Sequence, residues 1–226
     1  MDSTIDFKNN DDLAFFGKVN ASISHELKNI LAIISEAAGL LQDLTEMAAK
    51  GQKIELEMLN TCSQDIIEEI QRGFTTIKQM NTFSHSVDAP FKSVNLIEVL
   101  DLMINLVGFL SFAGKVRFDP PQDEAAMILT CPFRLQNLVY HTLVFVFKSV
   151  GADGEIQVAV HREPNGSARI AFSGLGTKGD LPFPSQETKN IAKSIGAEIR
   201  IADDSQTIDI LVTQLGEDSG YTQRHN

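Results

Sequence analysis

Apolar residues in the first half of the chain return with a period of seven. Phe16, Ile23, Ile30, Ala37 and Leu44 form one series, and Leu27, Ile34, Leu41 and Ala48 form a second, offset by four. Side chains three and four apart share one face of an α-helix, so the two series make a continuous stripe. No proline interrupts Asp12 to Lys50. The pattern predicts one helix of roughly 35–40 residues, much longer than an ordinary globular helix. Gly51 is placed to stop it. A second long helix is expected from Ile54 to Ser86, with Leu59, Ile66 and Met80 in one series, Ser63, Ile70 and Ile77 in the other, and Ile67 and Phe74 beside them. Two long helices and a short loop predict an antiparallel hairpin. Each stripe is wider than one neighbour covers, so two hairpins pairing as a four-helix bundle, a homodimer, is the expected arrangement. The alternative is a hairpin packed on the rest of its own chain.

After Val87–Phe91 the pattern changes, because Pro90 ends helical continuation. Asn95 can cap a helix from Leu96 to about Ala113. "KVRF" and "AMILT" read as short strands, and Pro132 opens a helix running to Val150. "EIQVAVHRE" and "ARIAFSG" alternate like paired strands across Pro164-Asn165-Gly166. A short helix over 185–195 and a strand pair, "AEIRIAD" and "TIDILVTQL", complete the series. The fold class is therefore α+β: a polar, disordered N-terminus over 1–11, a helical hairpin over 12–87, an α/β sandwich over 92–215 and a tail over 216–226.

Composition narrows the function classes. The 226 residues carry a net charge of -11, which argues against nucleic acid or an anionic membrane as the main partner. Cys62 and Cys131 stand in no metal-ligand spacing, as expected of free thiols in a reducing cytoplasm. The start of the chain lacks a basic and apolar targeting pattern, and the longest apolar stretch, Leu138–Phe147, is too short to span a bilayer. The expected location is cytoplasmic.

His25 has no evident place in this pattern. At about 100° per residue it lies roughly 190° from the centre of Ile23, Leu27 and Ile30, on the outer face of the helix. Its neighbours there include Lys18, Ala21, Ser22, Asn29 and Ala32, mostly small, which leaves room for another protein to approach within bonding distance. A helical metal site needs a second ligand one turn on, but positions 28 and 29 are Lys and Asn.

The run Ser24-His25-Glu26-Leu27-Lys28-Asn29, early on the first helix of a hairpin that precedes an α+β domain, resembles the phosphoacceptor motif of sensor histidine kinases. The hairpin resembles their dimerisation and histidine-phosphotransfer domain, and the second half their ATP-binding domain in element order. The resemblance implies that His25 is phosphorylated on an imidazole nitrogen, whose ordinary pKa of about 6.5 leaves a neutral nucleophile. It implies that Glu26 orients and deprotonates the ring, and that Asn29 positions water for dephosphorylating a partner receiver domain. Lys18, Ala21, Ser22, Lys28 and Ala32 would be docking surface. The proline usual just after this motif is replaced by Ile30, which implies a straighter helix.

The second half departs from the family. There, two asparagines on a helix hold Mg²⁺ and phosphate, an Asp in a D-x-G-x-G loop reads adenine, and a glycine-rich lid covers the triphosphate. The two asparagine positions fall on His141 and Phe145, neither a sensible ligand for a hard cation. In "IAFSGLG" Gly174 and Gly176 remain, but the Asp position is Phe172, and only "TKGDLPFP" precedes the next helix. Another register would offer Asn137, yet no Asp precedes Gly174. The implied protein is a histidine phosphotransferase of the kinase-derived, dimeric type. It would shuttle phosphoryl groups between aspartates of response-regulator receiver domains through His25, with no cofactor of its own and Mg²⁺ on the receiver. A receiver phosphatase and a non-catalytic binding module are the alternatives, with an ATP-dependent kinase behind them.

Overall fold

The structure, a computed structural model, describes residues 10–108, 115–120, 126–150, 154–164, 166–175, 183–202 and 206–213. Gly176, most of the "TKGDLPFP" segment and the expected tail lie outside the described residues. The chain divides into two compact units. One comprises Phe16–Ser84, and the other the chain up to Phe15 together with His85 onward.

The first unit is built on helix α1, Asn10–Ala49, and helix α2, Leu56–Ser84. α1 begins two residues before the expected start, inside the stretch expected to be disordered. It ends as the sequence predicts: Gly51 takes φ +79°, its N–H donates to the Ala48 carbonyl, and the Gln52 N–H reaches the Met47 carbonyl. Glycine accepts this left-handed conformation without a Cβ penalty. Phe16 stacks on Phe83 with centroids 5.4 Å apart, Glu26 meets Arg72, and Ile30 lies across Gly73. The start of α1 thus meets the end of α2 at Phe83, and positions 26 and 30 meet α2 ten or more residues earlier, so the pair is antiparallel.

On α1, Ile23, Ile30, Ala37 and Leu44 are buried with Val19. On α2 one expected series is displaced. Cys62, Thr76 and Phe83 are buried and Glu69 and Gly73 half-buried, whereas Ser63, Ile70 and Ile77 are exposed. The seam toward α1 thus runs through less apolar residues than the hydropathy pattern suggested. Ile67, Ile70, Phe74 and Ile77 are left facing outward, Phe74 at 70% exposure.

The second unit is an α+β sandwich with a mixed sheet. Strands β2 (Lys115–Phe118), β4 (Glu155–Arg162), β5 (Ala168–Ser173), β6 (Ala197–Ile201) and β7 (Thr207–Val212) lie in the order β2-β4-β5-β7-β6. β2 runs parallel to β4, and the other pairs are antiparallel. Alternation along the strands buries one face, with Ile156, Val158, Ile170, Phe172, Ile208 and Ile210 inward. Helix α4, Pro132–Val150, buries twelve of its nineteen residues and is the central helix. It packs on helix α3 (Leu96–Gly108), on helix α5 (Gln186–Ser194) and on β4. Asn95 caps α3 by accepting from the Ile97 N–H at 3.1 Å. One element was not expected: β1, Lys92–Asn95, pairs antiparallel with β3, Met127–Thr130, as a separate two-stranded sheet. The first turns of α1 also belong here. Phe15 is buried against Phe133 and Tyr140, and the buried Asp12 lies 3.7 Å from Arg134. The hairpin unit therefore starts at Phe16 rather than at Asp12.

Candidate functional site

Two places need separate description: the outer face of α1 around His25, and the face of α4 that carries His141 and Phe145.

On α1, His25 is exposed, and Lys18, Ala21, Asn29 and Ala32 are exposed around it, with Ser22 half-buried. Helix geometry accounts for this set: the residues lie at i−7, i−4, i−3, i+4 and i+7 from His25 and so share its face. Lys28 is exposed at the margin. The imidazole is exposed among residues that are themselves mostly exposed, so a second protein could reach it directly. Asn29, one turn on, presents an amide to the same space.

Glu26 is placed otherwise. It turns 100° from His25 onto the seam, retains 7% exposure, and its Oε1 accepts from the Arg72 Nη2 of α2. Arg72 is held in turn by Glu69, whose two carboxylate oxygens lie 3.1 and 3.2 Å from Nη1. Burial would lower the Arg72 pKa, but the hydrogen bond to Glu69 and the charges of Glu26 and Glu69 outweigh it and raise the guanidinium above its ordinary value. The expected task of Glu26, to orient and deprotonate the ring, is thus met here by a carboxylate already committed to a cation. Arg72 was missed in the sequence. Once Phe16 is matched with Phe83, the antiparallel register sets Arg72 opposite Glu26, but that match is not visible before the hairpin is built.

On the α4 face neither of the two expected ligand positions, His141 and Phe145, carries an oxygen donor. Phe145 stacks on Phe183 with centroids 4.4 Å apart and rings 16° from parallel. His141, one turn earlier, has Nε2 3.3 Å from the Glu187 carboxylate of α5. The segment entering α5 and the helix itself therefore occupy both positions where magnesium and phosphate ligands were sought. Ser185 caps α5 by accepting from the Thr188 N–H at 3.1 Å, which fixes Glu187 in the first turn. Asn137 is fully buried, and its amide faces the Asp12 carboxylate at 3.5 Å. Phe172 is fully buried in the sheet, between Val158 and Ile208 in register. The residues present do not fit Mg²⁺–ATP: a phenyl ring offers no oxygen to a hard cation, and Phe172 offers no acceptor to an adenine amino group.

Gly174 has a role apart from phosphate. It takes φ +89°, and a Cβ there would stand 2.4 Å from the Glu155 carbonyl oxygen. The close pass of β5 over β4 alone demands glycine. Among the described residues, no group of three or more His, Cys, Asp or Glu is placed to hold a metal ion. None of their helices is long and apolar enough to cross a membrane.

No protein-family model matches the sequence, and no curated protein matches it. Solved structures do resemble it. A bacterial phosphotransferase is 12% identical over 88% of this chain and 96% of its own, with a TM-score of 0.45. Histidine kinase ThkA in complex with response regulator protein TrrA is 17% identical over 91% of this chain and 64% of its own, at 0.46. Histidine kinase AdeS of Acinetobacter baumannii is 10% identical over 79% and 95%, at 0.44. At such identities and scores these similarities carry no residue roles to this chain.

Proposed function

We propose that this chain is a histidine phosphotransferase of two-component phosphorelays, taking a phosphoryl group from a receiver-domain aspartate onto His25 and passing it to another. The observation that carries the reading is the exposed imidazole of His25 in a rim of mostly small residues on a long helix. In the transfer, the lone pair of the unprotonated ring nitrogen attacks phosphorus. The P–O bond to the aspartate breaks and its electron pair leaves with the carboxylate. The proton on the other ring nitrogen is released to water. Onward transfer reverses these steps on a second receiver. The donor's leaving group is a weakly basic carboxylate, and the Mg²⁺ belongs to the receiver, so the chain contributes position and a nucleophile.

The closed α4 face favours this reading over an ATP-dependent kinase, since Phe183 and Glu187 take the space of the missing ligands. The outward Ile67, Ile70, Phe74 and Ile77 support pairing of two hairpins into a homodimer, because α1 leaves them uncovered. Asn29, sharing the His25 face, supports a second reading as a receiver phosphatase.

The test is phosphotransfer from a panel of phosphorylated receiver domains to wild type, His25→Ala and Asn29→Ala, with ATP alone as a control. Acid-labile label from receivers on wild type and Asn29→Ala only is the expected result. Faster loss of receiver phosphate without label, abolished by Asn29→Ala, selects the phosphatase. Label from ATP refutes the proposal.

A further inference from the structure

The pairing of Glu26 with Arg72 has no counterpart in the proposed transfer, yet it sits one residue from the phosphoacceptor. We infer that Arg72 is a positioning residue of this site: by holding the Glu26 carboxylate in the hairpin seam, it keeps that carboxylate off the His25 ring and leaves His25 an unassisted imidazole. The inference rests on the phosphoacceptor reading of His25 and deepens it.

The geometry is specific. Glu26 is nearly enclosed, with its side chain 8% exposed, and Arg72 lies over it at 46%. An enclosed carboxylate needs a cation and hydrogen bonds in place of lost water. Arg72 supplies both, and Glu69 holds its other terminal nitrogen from one turn earlier on the same helix. Among the described residues Arg72 is the cation paired with Glu26, so its removal leaves the desolvation of Glu26 unrepaid. The flexible side chain would then turn outward to water, and the nearest edge of α1 is that of His25. On α1 the charged residues within two turns of His25 are Lys18, Glu26 and Lys28, and across from them α2 brings Arg72, held by Glu69. Glu26 is thus the carboxylate on α1 whose position Arg72 decides.

The chemical consequence concerns the donor. A ring assisted by a carboxylate is a stronger nucleophile, as an attack on a less activated phosphoryl donor requires. An acyl phosphate already carries a good leaving group and asks only for a neutral imidazole in reach. Withholding Glu26 therefore suits a phosphohistidine that must both accept and release its phosphoryl group, because a less basic ring nitrogen is also a better leaving group on the return.

The experiment is an NMR titration of the His25 ring in the full chain, a readout independent of any phosphoryl donor. Four proteins are compared: wild type, Arg72→Gln, Glu26→Gln, and the double variant. In Arg72→Gln the His25 midpoint is expected to rise by about half to one pH unit, the effect of a carboxylate brought within a few ångströms in partly solvated surroundings. The double variant should return to the wild-type midpoint, and Glu26→Gln alone should lower it by clearly less than Arg72→Gln raises it, because the carboxylate is already withheld and only its charge at a distance is lost. An unmoved midpoint in Arg72→Gln overturns the inference, as does an equal shift in the double variant. A fall in Glu26→Gln as large as the rise in Arg72→Gln overturns it too, and that variant keeps Arg72 if its loss unfolds the hairpin. Absence of label on His25 in the receiver assay would remove the phosphotransferase reading while leaving the titration to decide the coupling of Arg72 to the ring.

Discussion

Placing an aspartate at position 172, by Phe172→Asp, should unfold the α/β unit rather than create a nucleotide site. Phe172 is fully buried in β5, flanked in register by Val158 of β4 and Ile208 of β7. Removing a buried phenyl ring costs about 3–5 kcal/mol in transfer and cavity terms. The new carboxyl would have to stay protonated in this apolar setting, and at pH 7 holding a proton on a group of ordinary pKa about 3.9 costs about 4 kcal/mol. Hydrogen-bonding groups left unmade add about 1–3 kcal/mol. The sum, about 8–12 kcal/mol, matches the whole stability of a typical domain, about 5–15 kcal/mol. The sign of the pH dependence follows. The folded-state carboxyl would have a raised pKa, so its unfavourable contribution is least below the unfolded value near 4 and grows as pH rises. Urea unfolding followed by circular dichroism at pH 4.5 and pH 7 measures this, with Phe172→Leu as a control expected to lose about 1–2 kcal/mol. A Phe172→Asp protein that melts within a few degrees of wild type at pH 7, or is stabilised by a nucleotide, would refute the reading of position 172 as closed core.

Other expectations test the remaining structure. Gly174→Ala should cost about 2–4 kcal/mol in urea unfolding, from a left-handed backbone and the Cβ forced against the Glu155 carbonyl. Cys131 is buried and burial pushes its thiol up, so iodoacetamide should label it in the native protein far more slowly than in urea. The same shift means that the unfolded chain releases this proton first as pH rises; stability should therefore fall above about pH 9, as thermal unfolding against pH would show. Ile70→Glu with Phe74→Glu alters two exposed side chains, so helix content should persist while sedimentation reports a smaller particle than wild type; an unchanged mass would refute pairing of two chains through this stripe.

The hairpin's first helix was legible because its apolar residues follow one period and its stop is a glycine in the required conformation. The strands of the sandwich were legible for the same reason, in period two. β1 was not, since Lys92-Ser93-Val94-Asn95 has no alternation and exists as a strand only through β3. The second helix misled by having two apolar stripes. Hydropathy favours Ile70 and Ile77, yet the seam runs through Cys62, Glu69, Thr76 and Phe83. Two of those polar residues are satisfied locally, Glu69 by Arg72, and Thr76 by donating its hydroxyl to the Arg72 carbonyl at 3.0 Å. Once its hydrogen bonds are made, a polar side chain costs little at a seam, and an apolar stripe can then be spared for the outside. His25 and Glu26 show the same limit at closer range. Adjacent in sequence, they read as one catalytic pair, but successive helical side chains diverge by 100°, so a residue next to an outward histidine falls on the seam. There it answers to whichever side chain the opposite helix brings across. The imidazole could be picked out from the chain alone; where its neighbour Glu26 points is set by Arg72, 46 positions further along the chain from Glu26.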